Sequence, residues 1–314
     1  MNKMTPTISF VMPVKNGGPF LKDAIEALQK IDDVSWELAV VDDGSTDETW
    51  EYLTAVTKKD DRIQPSKNLS SGKVKALNQG YRRTKGQFIK CIDADDVLLP
   101  DFCSGFENFI NCDSWVNNCQ VTDQNLNSQQ IYNINPRILE SNFQTTAKYL
   151  ISIPRHLWTF SREIGDKIFP MPETLPFEDV WFALMIKKYS RKIGFNERVC
   201  YLYRQHGNQT YGGILNYSKD IVHFRANRML CLIDALQKAQ KEGDDRVAEL
   251  DLKLIRNFYQ YIADRRVSLK SVNQKLRIRA FAFRYLRPML PLATRVKWFF
   301  DANINRKNKR LHPL

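Results

Sequence analysis

Residues 87–96 read QFIKCIDADD, an apolar run that ends on three carboxylates within four residues, Asp93, Asp95 and Asp96. The run itself has the make-up of a strand buried on both faces, as strands of a parallel sheet are. Like charges this close repel one another, and an unpaired carboxylate out of water is costly. Such an ending asks for positive charge from elsewhere, and a divalent cation is the first candidate. Mg²⁺ and Mn²⁺ prefer oxygen ligands and commonly take one or two carboxylates, leaving places for phosphate and water. The Asp93-Ala94-Asp95 spacing suits them. The plainer reading is a solvated, Asp-rich turn ahead of Pro100.

Upstream, strand and helix signals alternate. ISFVMPV (8–14) is a mostly apolar run, broken by Gly17, Gly18 and Pro19, which open a helix with Leu21, Ala24, Ile25 and Leu28 on one stripe. WELAVVDD (36–43) reads as a second buried strand. It ends at Gly44, and Ser45-Thr46-Asp47-Glu48 has the form of a capping box for the next helix. A third helix is expected over 73–84, with Val74, Leu77 and Tyr81 aligned and Gly86 at its end. This alternation predicts an α/β fold with a mainly parallel sheet. Ligands of such sheets bind beyond the carboxyl ends of the strands, where the strand order reverses. Two strands here end in acids, at Asp42-Asp43 and at Asp93-Asp95-Asp96.

Beyond residue 100 the pattern loosens. A helix carrying Phe102, Phe106 and Ile110 is expected, then strands near 114–122 and 130–134, an apolar helix from Asp179 to Tyr189, and a strand entering a polar loop over 198–210. After Gly212-Gly213 the periodicity is helical, over 220–241 and 245–263. We therefore expect a catalytic domain over 1–214 and a smaller helical, basic region over 215–314.

The 314 residues are 43% hydrophobic and 26% charged, as in an ordinary globular protein. The net charge of +12 is unevenly placed: residues 265–314 hold fourteen Lys and Arg against Asp301 alone, so the rest of the chain is close to neutral. A basic segment that also carries Phe, Leu and Trp suits the surface of an anionic membrane, and a solvated helical face is the plainer alternative. AFAFRYLRPMLPLATRVKWFF (280–300) has too short a gap between Arg287 and Arg295 to span a bilayer. The start of the chain shows no charged leader followed by an apolar core, and the six cysteines form no C-x-x-C pair. The expectation is a cytoplasmic protein with free thiols, peripheral at the inner face of the cytoplasmic membrane.

Other motifs are less informative alone. No G-x-G-x-x-G follows a strand, and Ser71-Gly72-Lys73 lacks the upstream Gly and the final Ser or Thr of a phosphate-binding loop. Asp42 and Asp43 are either turn formers or acceptors for a nucleobase edge. Acids at a helix start, such as Glu178-Asp179, are common because the helix dipole favours them. His206 has the context of an ordinary loop histidine.

Together, however, ISFVMPVKNG, VVDDGSTDET, KALNQGYRRTKGQFIKCIDADD, the Phe177-Glu178-Asp179 ahead of an apolar helix, and YRQHGNQT stand in the order and approximate spacing of family-2 glycosyltransferases of the GT-A fold. The resemblance covers about residues 6–210. It implies an inverting, metal-dependent transfer of sugar from a nucleotide-diphosphate donor, a UDP-sugar first, to a hydroxyl of a glycan or lipid-linked saccharide in cell-envelope polysaccharide synthesis. By that likeness Asp93 and Asp95 look like the metal-binding pair, with Mn²⁺ or Mg²⁺ as cofactor. His206 resembles a histidine that closes over the metal or pyrophosphate. Pro13, Asp42, Asp43 and Lys73 fall at donor-binding positions, Asp43 as the reader of the base, and Asp179 looks like the general base. Where an aromatic often follows Pro-Val, this chain has Lys15, which leaves UDP, GDP and dTDP open as donors.

Two other functions share some of these features. A nucleotidyltransferase making sugar nucleotides would want a Gly-rich, basic N-terminal signature, and residues 8–20 offer one Lys. A nucleic-acid-binding protein could use the basic segment, but the acidic rim opposes it and no such motif is present, so no nucleic acid is expected as partner.

Overall fold

Strands β1 (Ile8–Val14) and β2 (Trp36–Asp42) are buried at every position, which is why both read as unbroken apolar runs. They lie side by side in parallel, Val14 level with Asp42, in a computed structural model that describes residues 5–102, 106–134, 136–207 and 219–263. Helices α1 (Gly18–Gln29), α2 (Thr49–Thr57) and α3 (Lys73–Arg82) connect β1, β2, β3 (Ile63–Lys67) and β4 (Phe88–Cys91). The remaining strands are β5 (Val97–Leu98), β6 (Ser114–Thr122), β7 (Ser128–Tyr132), β8 (Trp158–Ser161) and β9 (Ile193–Arg204). All nine form one sheet in the order β3-β2-β1-β4-β8-β6-β9-β5, with β7 on β6.

β3, β2, β1 and β4 run parallel. The chain moves outward from β1 to β3, then α3 carries it back to β4 on the other side of β1. The order therefore reverses between β1 and β4, and a crevice is expected beyond their carboxyl ends. Val14, Asp42 and Lys67 are in register, so the segments after them emerge at one level, and Ile92 follows β4 with its N–H donating to Val11 O.

α6 (Arg162–Ile168) packs on β4, β8 and α7 (Asp179–Tyr189). In α7 every residue from Val180 to Ile186 is buried, and the Trp181 indole N–H donates to Ile168 O at 2.8 Å. The chain divides into two units, Met1–Ile134 with Ile151–His206, and Asn135–Leu150 with Gly207–Leu314. The second unit holds α4 (Pro136–Glu140), α5 (Phe143–Tyr149), α8 (Lys219–Lys241) and α9 (Lys253–Ala263), with α9 packed on α5 and α8. The domain boundary expected near 214 and the basic segment 265–314 lie outside the described residues. Among the described residues no helix is long and apolar enough to cross a membrane.

Three local expectations give way. Ser45 does not cap α2: its hydroxyl donates to Asp42 and accepts the Asn16 N–H, so it closes a turn and the helix starts at Thr49. The helix expected through Phe102, Phe106 and Ile110 is seen as two short 3-10 turns, 100–102 and 106–108. Phe106 there packs edge-on against Phe88 and Trp115, while Ile110 is half exposed, so the spacing reflected an aromatic cluster and not a helix face. α9 starts at Lys253 because 245–249 form turns.

At the other end of the parallel strands, the buried Ser9 hydroxyl donates to Glu37 at 2.6 Å and accepts the Gly86 N–H at 2.7 Å. A Cβ on Gly86 would come within 2.5 Å of Ser9 Oγ, 2.6 Å of Ser9 N and 2.8 Å of Ile8 C. Backbone of a central strand cannot move aside as a side-chain tip can. Gly86→Ala is therefore expected to destabilise the protein by about 1–3 kcal/mol, the usual range for overpacking. Thermal unfolding checks this, and an unchanged midpoint would contradict the close approach.

Candidate active site

The crevice end of the sheet collects the acids singled out in the sequence, and their environments differ sharply. Asp42 is buried, and its Oδ1 accepts both the N–H and the hydroxyl of Ser45, at 3.0 and 2.5 Å. It shapes the turn after β2. Pro13, in register with Val41, is buried in β1. Asp43 lies one residue further out, and its Oδ1 accepts from Asn68 Nδ2 at 2.7 Å and from the Gly72 N–H at 2.8 Å. Gly72 sits at φ +130°, a backbone that side-chain-bearing residues rarely adopt. Asp43 thus ties the end of β2 to the loop that starts α3.

Lys73, the first residue of α3, reaches Asp93 Oδ1 at 3.0 Å and Glu178 Oε1 at 3.4 Å. Arg155 completes this cluster. It lies in a single 3-10 turn, Arg155–Leu157, immediately before β8. Its fully buried guanidinium pairs through Nη2 with Asp93 and through Nε with Glu178, and its backbone N–H donates to Asp179 Oδ1 at 2.8 Å. The positive charge expected from an ion is, for Asp93, supplied by the chain itself through Arg155 and Lys73. Nothing in IPRHLW marked Arg155, because its partners are about 60 residues before it and 23 after it.

These pairings set the proton affinities. Burial works to raise the Asp93 carboxyl, but Arg155 and Lys73 outweigh it and hold it well below the ordinary range. Burial also works to lower Lys73, and Asp93 and Glu178 reverse that. Asp179 moves the other way: burial first, then the negative charge of Glu178, push it up to about 6. Burial, with the charges of Asp95 and Asp93 added, also raises Asp96 well above the carboxylate range, and its Oδ1 accepts the Arg204 N–H.

Asp95 has a separate partner. His206 Nε2 lies 3.0 Å from Asp95 Oδ2, and Phe20 packs on the His206 ring with centroids 4.9 Å apart. A carboxylate and an imidazole make a donor set that suits Mn²⁺, with Mg²⁺ served by the carboxylate alone. Asp93, Asp96 and His156 also place possible ligand atoms within 4.8 Å of one another. Burial pushes the His156 imidazole down to about 3, so it is neutral, and among the described residues neither its Nε2 nor Asp96 Oδ2 has a hydrogen-bond partner. The Asp95 side chain is 34% exposed, whereas Asp96 and His156 are 2% and 5% exposed as residues, and Asp93 already carries two cations. The Asp95–His206 pair is therefore the better fit for an ion that must also meet a ligand from solution.

Of the residues predicted from sequence, Asp93, Lys73 and Asp179 gather around Arg155, and Asp95 pairs with His206. Asp42 and Pro13 are buried near the ends of β2 and β1. Removing Arg155 would leave Asp93 and Glu178 with Lys73 alone. Arg155→Met is expected to cost about 3–5 kcal/mol at pH 7, as is usual when one member of a buried ion pair is deleted. The loss should narrow as pH is lowered toward 5, because the abandoned carboxylates can then take up protons. Melting curves across that range check it; a variant as stable as the parent at pH 7 would refute the role.

The family model described as "Glycosyl transferase family 2" matches residues 9–212, more than half of the chain. GlyG, a glycosyltransferase of Streptococcus pneumoniae, is 33% identical over 96 residues, 30% of this chain and 32% of its own length. The chain spans about a third of the length of such curated relatives. Among solved structures, S. aureus TarS 1–349 in complex with UDP-GlcNAc superposes with a TM-score of 0.56 at 15% identity, over 88% of this chain and 91% of that one. The mannosyltransferase PcManGT of Pyrobaculum calidifontis, in complex with GDP-Man and Mn²⁺, gives 0.55 at 16% identity, over 98% and 82%. At these identities the structures speak for the fold, which is of the GT-A type. With the family model covering both acidic strand ends and the Glu178-Asp179 helix start, the chain belongs to glycosyl transferase family 2.

Proposed function

We propose that this protein transfers a sugar, with inversion, from a nucleotide-diphosphate donor to a hydroxyl of a glycan or lipid-linked saccharide. The observation that carries the reading is the placement of Asp179, whose carboxylate is fixed by the Arg155 N–H at the edge of a cluster of paired charges; burial and Glu178 push it up to about 6. A general base works best with a proton affinity near the operating pH, and Asp179 approaches that while staying mostly ionised at pH 7.

In this mechanism Asp179 takes the proton from the acceptor hydroxyl as that oxygen attacks the anomeric carbon. The bond to the diphosphate breaks on the opposite face, which gives a single displacement. Asp95 and His206 would hold Mn²⁺ or Mg²⁺, which supplies Lewis-acid stabilisation of charge on the leaving diphosphate. Asp43, through the oxygen not used by Asn68 and Gly72, would accept from the base of the nucleotide, and Lys73 would face the donor. The UDP-GlcNAc in TarS and the GDP-Man with Mn²⁺ in PcManGT support a nucleotide sugar and a metal here. UDP is the proposed nucleotide and a cell-envelope glycan the proposed product, both following the family likeness. Residues 265–314 are proposed, on composition alone, to dock the enzyme on an anionic membrane face.

Release of nucleoside diphosphate from a panel of UDP- and GDP-sugars with Mn²⁺ tests the base. Asp179→Asn should lower the rate by about 10²–10⁴-fold with nucleotide affinity unchanged. In the parent, the rate should fall as pH drops through about 6, because a base raised to that value is protonated below it. A variant with the full rate would remove Asp179 from the role.

A further inference from the structure

Lys90 lies in the middle of β4 and is 1% exposed, a position that the rest of the strand, Phe88, Ile89 and Cys91, fills with apolar side chains. Its ammonium sits 5.1 Å from the Phe102 ring centroid and 5.6 Å from that of Tyr201. Nζ donates to His156 O at 2.7 Å. A lysine buried without a carboxylate partner is costly, and burial pushes it down to about 7. An apolar residue would fill the space at no such cost, so the amine calls for a reason.

His156 O belongs to the turn that carries Arg155. The same residue is held from its side chain, since the His156 ring stacks on Tyr201 with centroids 4.7 Å apart, and Tyr201 Oη accepts the Asp93 N–H at 3.1 Å. Two peptides earlier, the Arg155 N–H meets Asp179 Oδ1. An amine keeps N–H bonds whether or not it is protonated, so this anchor persists across neutral pH. We propose that Lys90 is a positioning residue: by holding His156 O it fixes the Arg155–His156 turn, and through the Arg155 N–H it fixes the carboxylate of Asp179.

The inference rests on Asp179 as the base proposed above, but it is tested without any sugar donor, so the two can fail separately. The charged groups facing Asp179 are Glu178 on its own helix, Arg155 on the turn and Lys73 on α3. The Arg155 hydrogen bond lowers Asp179, so a loosened turn should raise it. The experiment uses the full chain, Lys90→Met, and NMR with ¹³C-carboxyl aspartate, the Asp179 signal being assigned by its loss in Asp179→Asn. In Lys90→Met the Asp179 midpoint should move up by about half a unit or more, and amide exchange at Arg155 should speed up about tenfold while exchange in β1 and β2 stays at the parent rate. A folded variant with the parent midpoint and parent exchange at Arg155 would overturn the proposal. So would exchange that rises equally at Arg155 and in β1, which marks a general loss of stability. If Lys90→Met does not fold, Lys90→Leu, smaller and equally without a donor, is read by the same two outcomes.

Discussion

A guanidinium taken fully out of water between two carboxylates fixes the architecture of this site. Arg155 reaches Asp93 at the end of β4 and Glu178 at the start of α7, and its own backbone holds Asp179. Burying three charges carries a large desolvation cost, offset only where geometry and hydrogen bonds are good. The planar fork of arginine meets that condition, because Nε and Nη2 can serve different acids at once. The consequence is mechanical as well as electrostatic: a strand end, a turn and a helix start are tied at one point.

Acids that look alike in the sequence are separated by this arrangement. Asp42 closes a turn, Asp43 locks the loop before α3, Asp93 is spent on cations, and Asp96 is buried on a backbone N–H. Asp95 is the member of its cluster that faces His206 and solvent. Asp179, one residue from Glu178, accepts a backbone N–H instead of a side-chain ion pair, and burial with the Glu178 charge pushes it up to about 6. Environments that push neighbouring carboxylates apart are a general way to assign one as base and another as support.

Much of the parallel half of the sheet was legible because burial on both faces leaves an apolar run that needs no partner to be recognised, as in β1 and β2. β3 was missed: IQPSK is an edge strand with a proline and one fully buried residue, so it carries no such run. α7 was legible to the residue, since an acidic start and an apolar run from Val180 to Ile186 agree. The site was legible where acids end strands and open helices. It was not legible where the partner is distant in sequence, as with Arg155, or hidden in an apolar strand, as with Lys90. Pairing across some 60 residues leaves no local pattern to read.

The proposed function requires that the rim beyond β1, β2 and β4 bind a nucleotide diphosphate with a metal at Asp95. Calorimetric titration of UDP, GDP and dTDP, each with and without Mn²⁺, against the parent and Asp95→Ala, tests it most directly. One nucleotide is expected to bind, Mn²⁺ to tighten it, and Asp95→Ala to lose the gain from Mn²⁺. Failure of all three nucleotides to bind the parent under either condition would contradict it.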